Sequence, residues 1–382
     1  MNILVLHNTF LPDYTGSSIR LYNLLSRVPY NMSVLTPEKK VNGEYFKLKE
    51  EKIKNIRVKR ASALSPDSIW KWHVLRYYYH EKKIFNSSKK EHFDIIQSRS
   101  LPPYIVSAYK LHKKFNKPFL VEVHPNESDV NSFYMFYIFK ILKVLESASH
   151  VITLTNSLKK WIHDQYGITE EKISVINNGV DSEKFKPQTP HLIEPMREKL
   201  GNPEKIVMYA GYLDSINGIN MLTELMPSIV EDNPQISFIF MGHGPFYDRI
   251  HKLSMDYNQI KLIPTVNHDL MPYYYQLSDV FIIPRPSTIS SELVTPLKLL
   301  EAMSTGSVVL GSDVGGIKEV IKNEKNGYLF EKGNSNSFKD CLITALKSDN
   351  SKIAKNARKT ILNEYNWDKS AQKLKNAYDI IL

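Results

Sequence analysis

The sequence predicts an α/β protein built as two doubly wound domains of parallel strands. Three observations predict it. At 382 residues the chain is too long for one ordinary core and suits two domains of roughly 180 residues each. Short apolar runs alternate with stretches of helical periodicity, the rhythm of parallel strands joined by helices. That rhythm breaks at a proline-bearing stretch, Lys186 to Pro203, and then begins again.

In the first half, Ile3 to Leu6 reads as a strand, His7 to Ser18 as a polar loop, and Ile19, Tyr22, Leu25 and Val28 recur at helical spacing with Ser17 or Ser18 as the N-cap. Further strands are predicted at Ser33 to Leu35, Ile95 to Gln97, Phe119 to Val123 and His150 to Leu154. In the second half, Lys205 to Ala210 is a strand, Gly211 to Gly218 a turn and Ile219 to Val230 a helix. Later strands fall at Ile236 to Met241, Ile260 to Pro264, Val280 to Pro284, Val308 to Gly311 and Gly327 to Phe330. A last helix, about Lys369 to Leu382, carries Ala371, Leu374, Ala377 and Ile380 or Ile381 on one face. The expected domains are residues 1–185, taking in the helix at about 366–382, and residues 186–365. Two such sheets facing one another place the carboxyl ends of their strands on either side of a cleft, where a ligand is expected.

Composition excludes several classes. Apolar residues make up 42% and charged residues 24%, as in ordinary globular proteins. The single cysteine, Cys341, lies in a helical pattern, so no disulfide framework or thiolate metal cluster can form and a reducing compartment is expected. Met1 runs directly into a strand without a secretory leader, which predicts a cytoplasmic protein. The longest apolar segment, Phe133 to Leu145, is interrupted by Lys140 and Lys143 and is too short to span a bilayer. The net charge is +10, and residues 1–180 hold 27 Lys and Arg against 16 Asp and Glu. The first half therefore suits an anionic partner such as an acidic membrane surface or a phosphorylated acceptor. No nucleic-acid-binding motif accompanies the charge.

The unusual residues concentrate in FIIPRPSTISSELVTPLKLLEAMSTGSVVLGSDVGGIKEV, Phe281 to Val320. Thr295 and Pro296 form a helix start, with Thr295 as N-cap and Pro296 at the first helical position ahead of Leu297. The unpaired amides and dipole of a helix N-terminus suit a phosphate. Lys298 adds charge to that site, Glu301 can accept hydrogen bonds from ribose hydroxyls, and Arg285 ends the preceding strand facing the same crevice.

This stretch resembles the donor-binding signature of glycosyltransferase family 4, above all the branch reading TELVTPLKPLEAMA found in exopolysaccharide and exosortase systems. VINNGVDSEKFKP, YAGYLDSINGINML, NPQISFIFMGHGP and LIPTVNHDLMPYYYQLSDVFIIPR resemble further family elements in the family's order. The resemblance covers nearly the whole chain. It implies a GT-B fold of two Rossmann-like domains, the C-terminal helix crossing back to the first. It also implies a nucleotide-sugar donor, UDP in preference to GDP, transfer with retention to a glycan or lipid-linked acceptor, and no required metal.

The resemblance assigns roles residue by residue. Val266 and Leu270 flank the nucleotide base, and Gly211, Tyr212 and Asn217 belong to the first donor-domain loop. Many members carry Arg and Lys where this chain has Tyr212 and Asn217, so Arg285 and Lys298 are expected to compensate. Many also carry two acidic residues with seven between them. Here that spacing from Glu301 falls on Leu293, and Glu292, one position earlier, is the candidate first carboxylate. In the first half, Gly16 in PDYTGSS resembles the glycine loop near the diphosphate or acceptor. His124, ending FLVEV, resembles the family histidine beside the donor sugar, with Glu122 on the same side of the strand and Glu127 and Asp129 nearby. Trp70, Trp72 and Tyr77 to Tyr79 interleave with Lys71, Arg76, Lys82 and Lys83, a pattern open to a membrane interface or to an ordinary amphipathic helix. A GT-B epimerase or phosphorylase, or an inactive binding subunit, are the alternatives the sequence leaves open.

Overall fold

A computed structural model describes residues 1–40, 43–61, 73–125 and 143–382. They form two compact units, Met1–Asn177 with Trp367–Leu382, and Asn178–Asn366. Trp70, Lys71, Trp72, Glu127, Asp129 and much of the apolar segment from Phe133 lie outside the described residues.

The first unit holds a sheet of eight strands in the order β3-β4-β2-β1-β5-β6-β7-β8. These are β1 (Asn2–Leu6), β2 (Asn31–Pro37), β3 (Glu50–Ile53), β4 (Ile56–Ala61), β5 (Ile95–Arg99), β6 (Phe119–Glu122), β7 (His150–Thr153) and β8 (Ile173–Val175). All neighbours are parallel except β3 with β4. The inner strands are continuous apolar runs because both faces of a parallel sheet are covered. The β3–β4 hairpin was not expected from the sequence. Its strands are rich in charge, with Arg57 of β4 paired to Glu50 of β3 at 2.5 Å, so they lack a continuous apolar signal, and β3 at the sheet edge is blunted by its charged residues.

The chain builds outward from β1 on one side and then crosses to β5 on the other. The loops after β1 and β5 therefore splay apart at the carboxyl end of the sheet, where such folds bind ligands. The helix following β1 runs from Gly16 to Leu25, with Thr15 rather than Ser17 or Ser18 as its cap. Thr15 Oγ1 accepts from the Ser18 amide at 3.2 Å while Ser18 Oγ accepts from the Thr15 amide at 2.8 Å, a reciprocal capping box. The C-terminal helix, Trp367–Ile380, packs on Gly16–Leu25. It buries Trp367, Ala371, Leu374, Ala377 and Tyr378; of Ile380 and Ile381, the alternatives expected on that face, Ile380 is exposed and Ile381 half-buried.

The second unit contains β9 (Lys205–Ala210), β10 (Ile236–Met241), β11 (Ile260–Ile263), β12 (Val280–Ile283), β13 (Val309–Ser312) and β14 (Tyr328–Phe330). They run parallel in the order β11-β10-β9-β12-β13-β14. Alternate residues of β9 feed two cores: Ile206 and Met208 face one layer of helices, Val207 and Tyr209 the other. The order reverses between β9 and β12, so the loops from Gly211 and from Pro284 open at one switch point. The unit begins at Asn178, ahead of the proline-bearing stretch, because Val180 N–H donates to Tyr365 O at 3.0 Å and Phe185 is buried in its core. No helix among the described residues is long and apolar enough to cross a membrane.

Candidate functional site

The switch point of the second unit gathers Gly211, Arg285 and Lys298. Lys298, in the helix Leu297–Ser304, lays its Nζ over the Tyr209 ring at 4.2 Å from the centroid and 3.0 Å from the hydroxyl. Tyr209 is committed elsewhere as a donor, giving its hydroxyl proton to Tyr212 O at 2.8 Å. Gly211 makes room for the ammonium: a Cβ there would stand 2.6 Å from Nζ, and its φ of +139° lies where side chains are disfavoured. Desolvation, then the charge of Arg285, lower the Lys298 pKa to about 7, opposed from a distance by Asp214 and Glu301. Ser312 Oγ donates to Arg285 O at 2.6 Å and so fixes the end of β12 against β13.

The helix start differs from the expectation. Pro296 is the N-cap, with φ −72° and ψ 139°, and Leu297 is the first helical residue. Buried Thr295 turns its hydroxyl away, donating to Gly316 O at 2.8 Å, while its carbonyl accepts from Asn178 Nδ2 at 2.8 Å. Thr295 therefore anchors the loop, and no side chain caps the first turn of the helix. Gly316 permits this contact, since a Cβ there would lie 2.2 Å from Val294 O.

One turn further on, Glu301 is buried. Its Oε2 accepts from Tyr275 Oη at 2.8 Å and its Oε1 from His268 Nε2 at 3.0 Å. Lys184 Nζ stands 3.3 Å from His268 Nδ1, so Nδ1 carries the lone pair and Nε2 the proton it donates. The turn His268–Leu270 places Leu270 in solvent, 47% exposed, while Val266 packs against the core beneath it.

Glu292 lies apart from Glu301 in the short helix Ile289–Leu293. Its carboxylate takes the Gly315 amide at 2.8 Å, Lys332 Nζ at 2.6 Å and Ser287 Oγ at 2.5 Å. Burial pushes its pKa up, but these donors outweigh it and hold the carboxyl below its usual range. Tyr212 is half exposed with its ring edge-on to His243. Asn217 closes the turn on Asp214, its amide and Nδ2 both donating to Oδ1 at 2.9 and 2.8 Å.

In the first unit the carboxyl ends of β1, β5 and β6 hold a buried charged cluster. Arg20 donates from Nε to Glu122 Oε1 at 2.6 Å and from its other nitrogens to Ile176 O and Asn177 O at 2.7 and 3.0 Å. His124 Nε2 is 3.0 Å from the same Glu122 oxygen. Desolvation and then Arg99 lower the His124 pKa to about 4, against the pull of Glu122. It is therefore a neutral imidazole whose Nε2–H donates to Glu122. His7, 4% exposed, is also neutral, with desolvation first and the charge of Arg99 next bringing it to about 3. Arg99 donates to Asn8 Oδ1 at 2.9 Å and Ser17 Oγ at 3.0 Å, which ties β5 to the loop after β1 and to the first turn of the helix that exposed Gly16 opens.

Sequence reasoning missed Tyr209, His268 and Tyr275 in the second unit and His7, Arg20 and Arg99 in the first. The signal for His268 and Tyr275 was present in NHDLMPYYYQL, where a capping asparagine and a proline mark a turn entering a helix. The arrangement in the second unit suits a dianion against Arg285, Lys298 and the amides at Leu297, with Glu301 one turn away to accept from neighbouring hydroxyls.

The family model described as Glycosyltransferase Family 4 matches residues 19–184, and that described as Glycosyl transferases group 1 matches residues 193–360. Spore coat protein SA of Bacillus subtilis is 27% identical over 322 residues, covering 78% of this chain and 82% of that protein. The UDP-Gal:alpha-D-GlcNAc-diphosphoundecaprenol alpha-1,3-galactosyltransferase of Escherichia coli is 29% identical over 239 residues, 60% of either chain. Among solved structures, Anabaena HepE in complex with UDP matches over 99% of this chain and 100% of its own, with a TM-score of 0.79 and 18% identity. That likeness shows the fold.

Proposed function

Because this chain is a GT-B glycosyltransferase of the family 4 type, we propose that it moves a sugar from a UDP-sugar to a hydroxyl of a glycan or lipid-linked acceptor, with retention of configuration. The observation that carries the donor reading is the meeting of Arg285 and Lys298 beside the first turn of the helix Leu297–Ser304, with Glu301 on that same helix. Arg285, Lys298 and the amide of Leu297 take the two phosphates, Glu301 takes the ribose hydroxyls, and Val266 and Leu270 border the base. The UDP in the structure of Anabaena HepE and the UDP-sugar named for the Escherichia coli relative favour uridine.

The donor phosphates leave as the bond to the sugar breaks, and charge accumulates on them. Cations and oriented amides placed in advance stabilise that charge without reorganising, which is the main catalytic lever here. The departing phosphate takes the proton of the acceptor hydroxyl as it attacks from the same face, so no protein nucleophile is required. His124, neutral and held by Glu122, hydrogen-bonds a sugar hydroxyl. Glu292, engaged by Lys332, Ser287 and Gly315, shapes the loop ahead of the donor helix rather than meeting the sugar.

The lysine-rich first unit supplies a surface for an anionic membrane or a phosphorylated acceptor. Its exposed Tyr45 and Leu48 lie among Lys39, Lys40, Lys47 and Lys49, and Tyr78 and Tyr79 are also half exposed. Polysaccharide or glycolipid assembly is the setting this implies. The test is a UDP-release assay with a panel of UDP-sugars, with and without lipid-linked acceptors. Slow release that depends on Lys298 and Glu301 is expected, and its absence across UDP- and GDP-sugars would refute the reading. Co-sedimentation with anionic liposomes at low salt tests the surface.

A further inference from the structure

Lys298 is an amine without a counter-ion. Among the described residues it makes no ion pair; its nitrogen rests on the face of Tyr209, 3.0 Å from that hydroxyl, in the space that a Cβ on Gly211 would crowd. An ammonium has three protons to donate, and Tyr209 receives one. The groups that act on it are Tyr209 from β9, Arg285 from the end of β12, Asp214 from the loop after β9 and Glu301 from its own helix. Both carboxylates lie beyond contact, and Glu301 already accepts from Tyr275 and His268. Resting on the donor reading above, we propose that a nucleotide-sugar diphosphate supplies the missing counter-ion and that its binding draws one proton from solvent onto Lys298.

The sign follows from the surroundings. In the free protein Arg285 and desolvation both act against the charged amine, and its pKa of about 7 leaves a large neutral fraction at physiological pH. A diphosphate diester, doubly negative at neutral pH, reverses the field at that nitrogen and favours the ammonium. Donor affinity is then greatest below pH 7 and declines above it, by up to about tenfold per pH unit. A nucleotide sugar is the right probe, because its phosphates are diesters and do not themselves titrate, whereas the terminal phosphate of a free nucleoside diphosphate passes between dianion and monoanion at about pH 6.

The experiment is calorimetric titration of UDP-glucose into the intact protein in phosphate and in Tris, whose heats of ionisation differ. At about pH 8 the two heats should differ by the uptake of nearly one proton per site, and at about pH 6 they should converge. In Lys298→Arg, whose charge is permanent, binding should persist with no buffer dependence and with affinity flat from about pH 6 to about pH 8. Equal heats in the two buffers at pH 8 would overturn the proposal. So would uptake that survives in Lys298→Arg, since the proton would then reside elsewhere, for instance on His268. If no UDP- or GDP-sugar gives any binding heat, the donor reading itself fails and the proposal with it.

Discussion

His268 donates from Nε2 to Glu301 Oε1 across 3.0 Å, and this bond fastens the turn after β11 to the helix Leu297–Ser304. The residues assigned to the base and to the ribose are thereby held in one piece. Glu301→Ala leaves the buried Tyr275 hydroxyl without its acceptor and should cost about 1–3 kcal/mol in chemical unfolding. The same variant should bind UDP-glucose about 10- to 100-fold more weakly, because hydrogen bonds to a charged group contribute about 1.5–3 kcal/mol. His268→Ala keeps the Tyr275 bond and should lose affinity with a smaller loss of stability.

Gly211→Ala sets a Cβ 2.6 Å from Lys298 Nζ and strains a backbone at φ +139°. The lysine must swing off the Tyr209 ring to relieve the clash. Affinity for UDP-glucose should fall about tenfold or more, as expected when one charged contact to a phosphate is misplaced. A titration giving unchanged affinity would separate Lys298 from the diphosphate.

Arg20 and Glu122 form a buried ion pair at 2.6 Å, with side chains 2% and 5% exposed. Arg20→Met removes the cation and leaves the carboxylate uncompensated, so unfolding free energy should drop by about 3–5 kcal/mol. The double change Arg20→Met with Glu122→Gln should recover part of that loss. Equal destabilisation in single and double variants would show that the pair is not coupled.

His124→Ala should lower the rate of sugar transfer about a hundredfold while leaving UDP affinity unchanged, the mark of a group that acts on the sugar as charge develops. Loss of nucleotide affinity in that variant would remove His124 from the sugar site.

Acid should destabilise the protein before its carboxylates titrate. His7 and His124, with pKa values of about 3 and about 4 in the fold, titrate near 6.5 when unfolded. Between those values the unfolded chain binds more protons, so this stability is fully present above pH 6.5 and is lost as pH falls toward 4. The slope is at most about 1.4 kcal/mol per pH unit for each histidine. Urea unfolding across this range should show it, and His124→Gln should flatten it. A profile level from pH 6.5 to 4.5 in the wild-type protein would contradict the burial of these imidazoles as neutral groups.

Most strands and helices were legible because parallel sheets covered on both faces write continuous apolar runs, whereas β8, three residues long, is too short to write one. The exceptions carry a reason: the β3–β4 hairpin lies at an edge and is held by charge, so Glu50 to Ala61 looks like a loop. Glu301 was legible from its place after a Thr-Pro helix start. Thr295 was misread as the cap because its true partner, Gly316, follows after a whole strand. The tyrosine under Lys298 stands 89 residues earlier in the chain, and no local pattern links the two. The same holds for Arg20 and Glu122, joined across 102 residues. Local propensity reports elements; partners that meet at the ends of distant strands come only from the fold.

The central claim is that the second unit binds a UDP-sugar through Arg285, Lys298 and Glu301, and thermal unfolding during titration with UDP- and GDP-sugars tests it most directly. A ligand at a hundred times its dissociation constant should raise stability by about 2.7 kcal/mol. The account predicts a saturable rise in melting temperature with at least one UDP-sugar that is lost in Lys298→Gln and Glu301→Ala. A folded wild-type protein whose melting temperature no nucleotide sugar moves would contradict it.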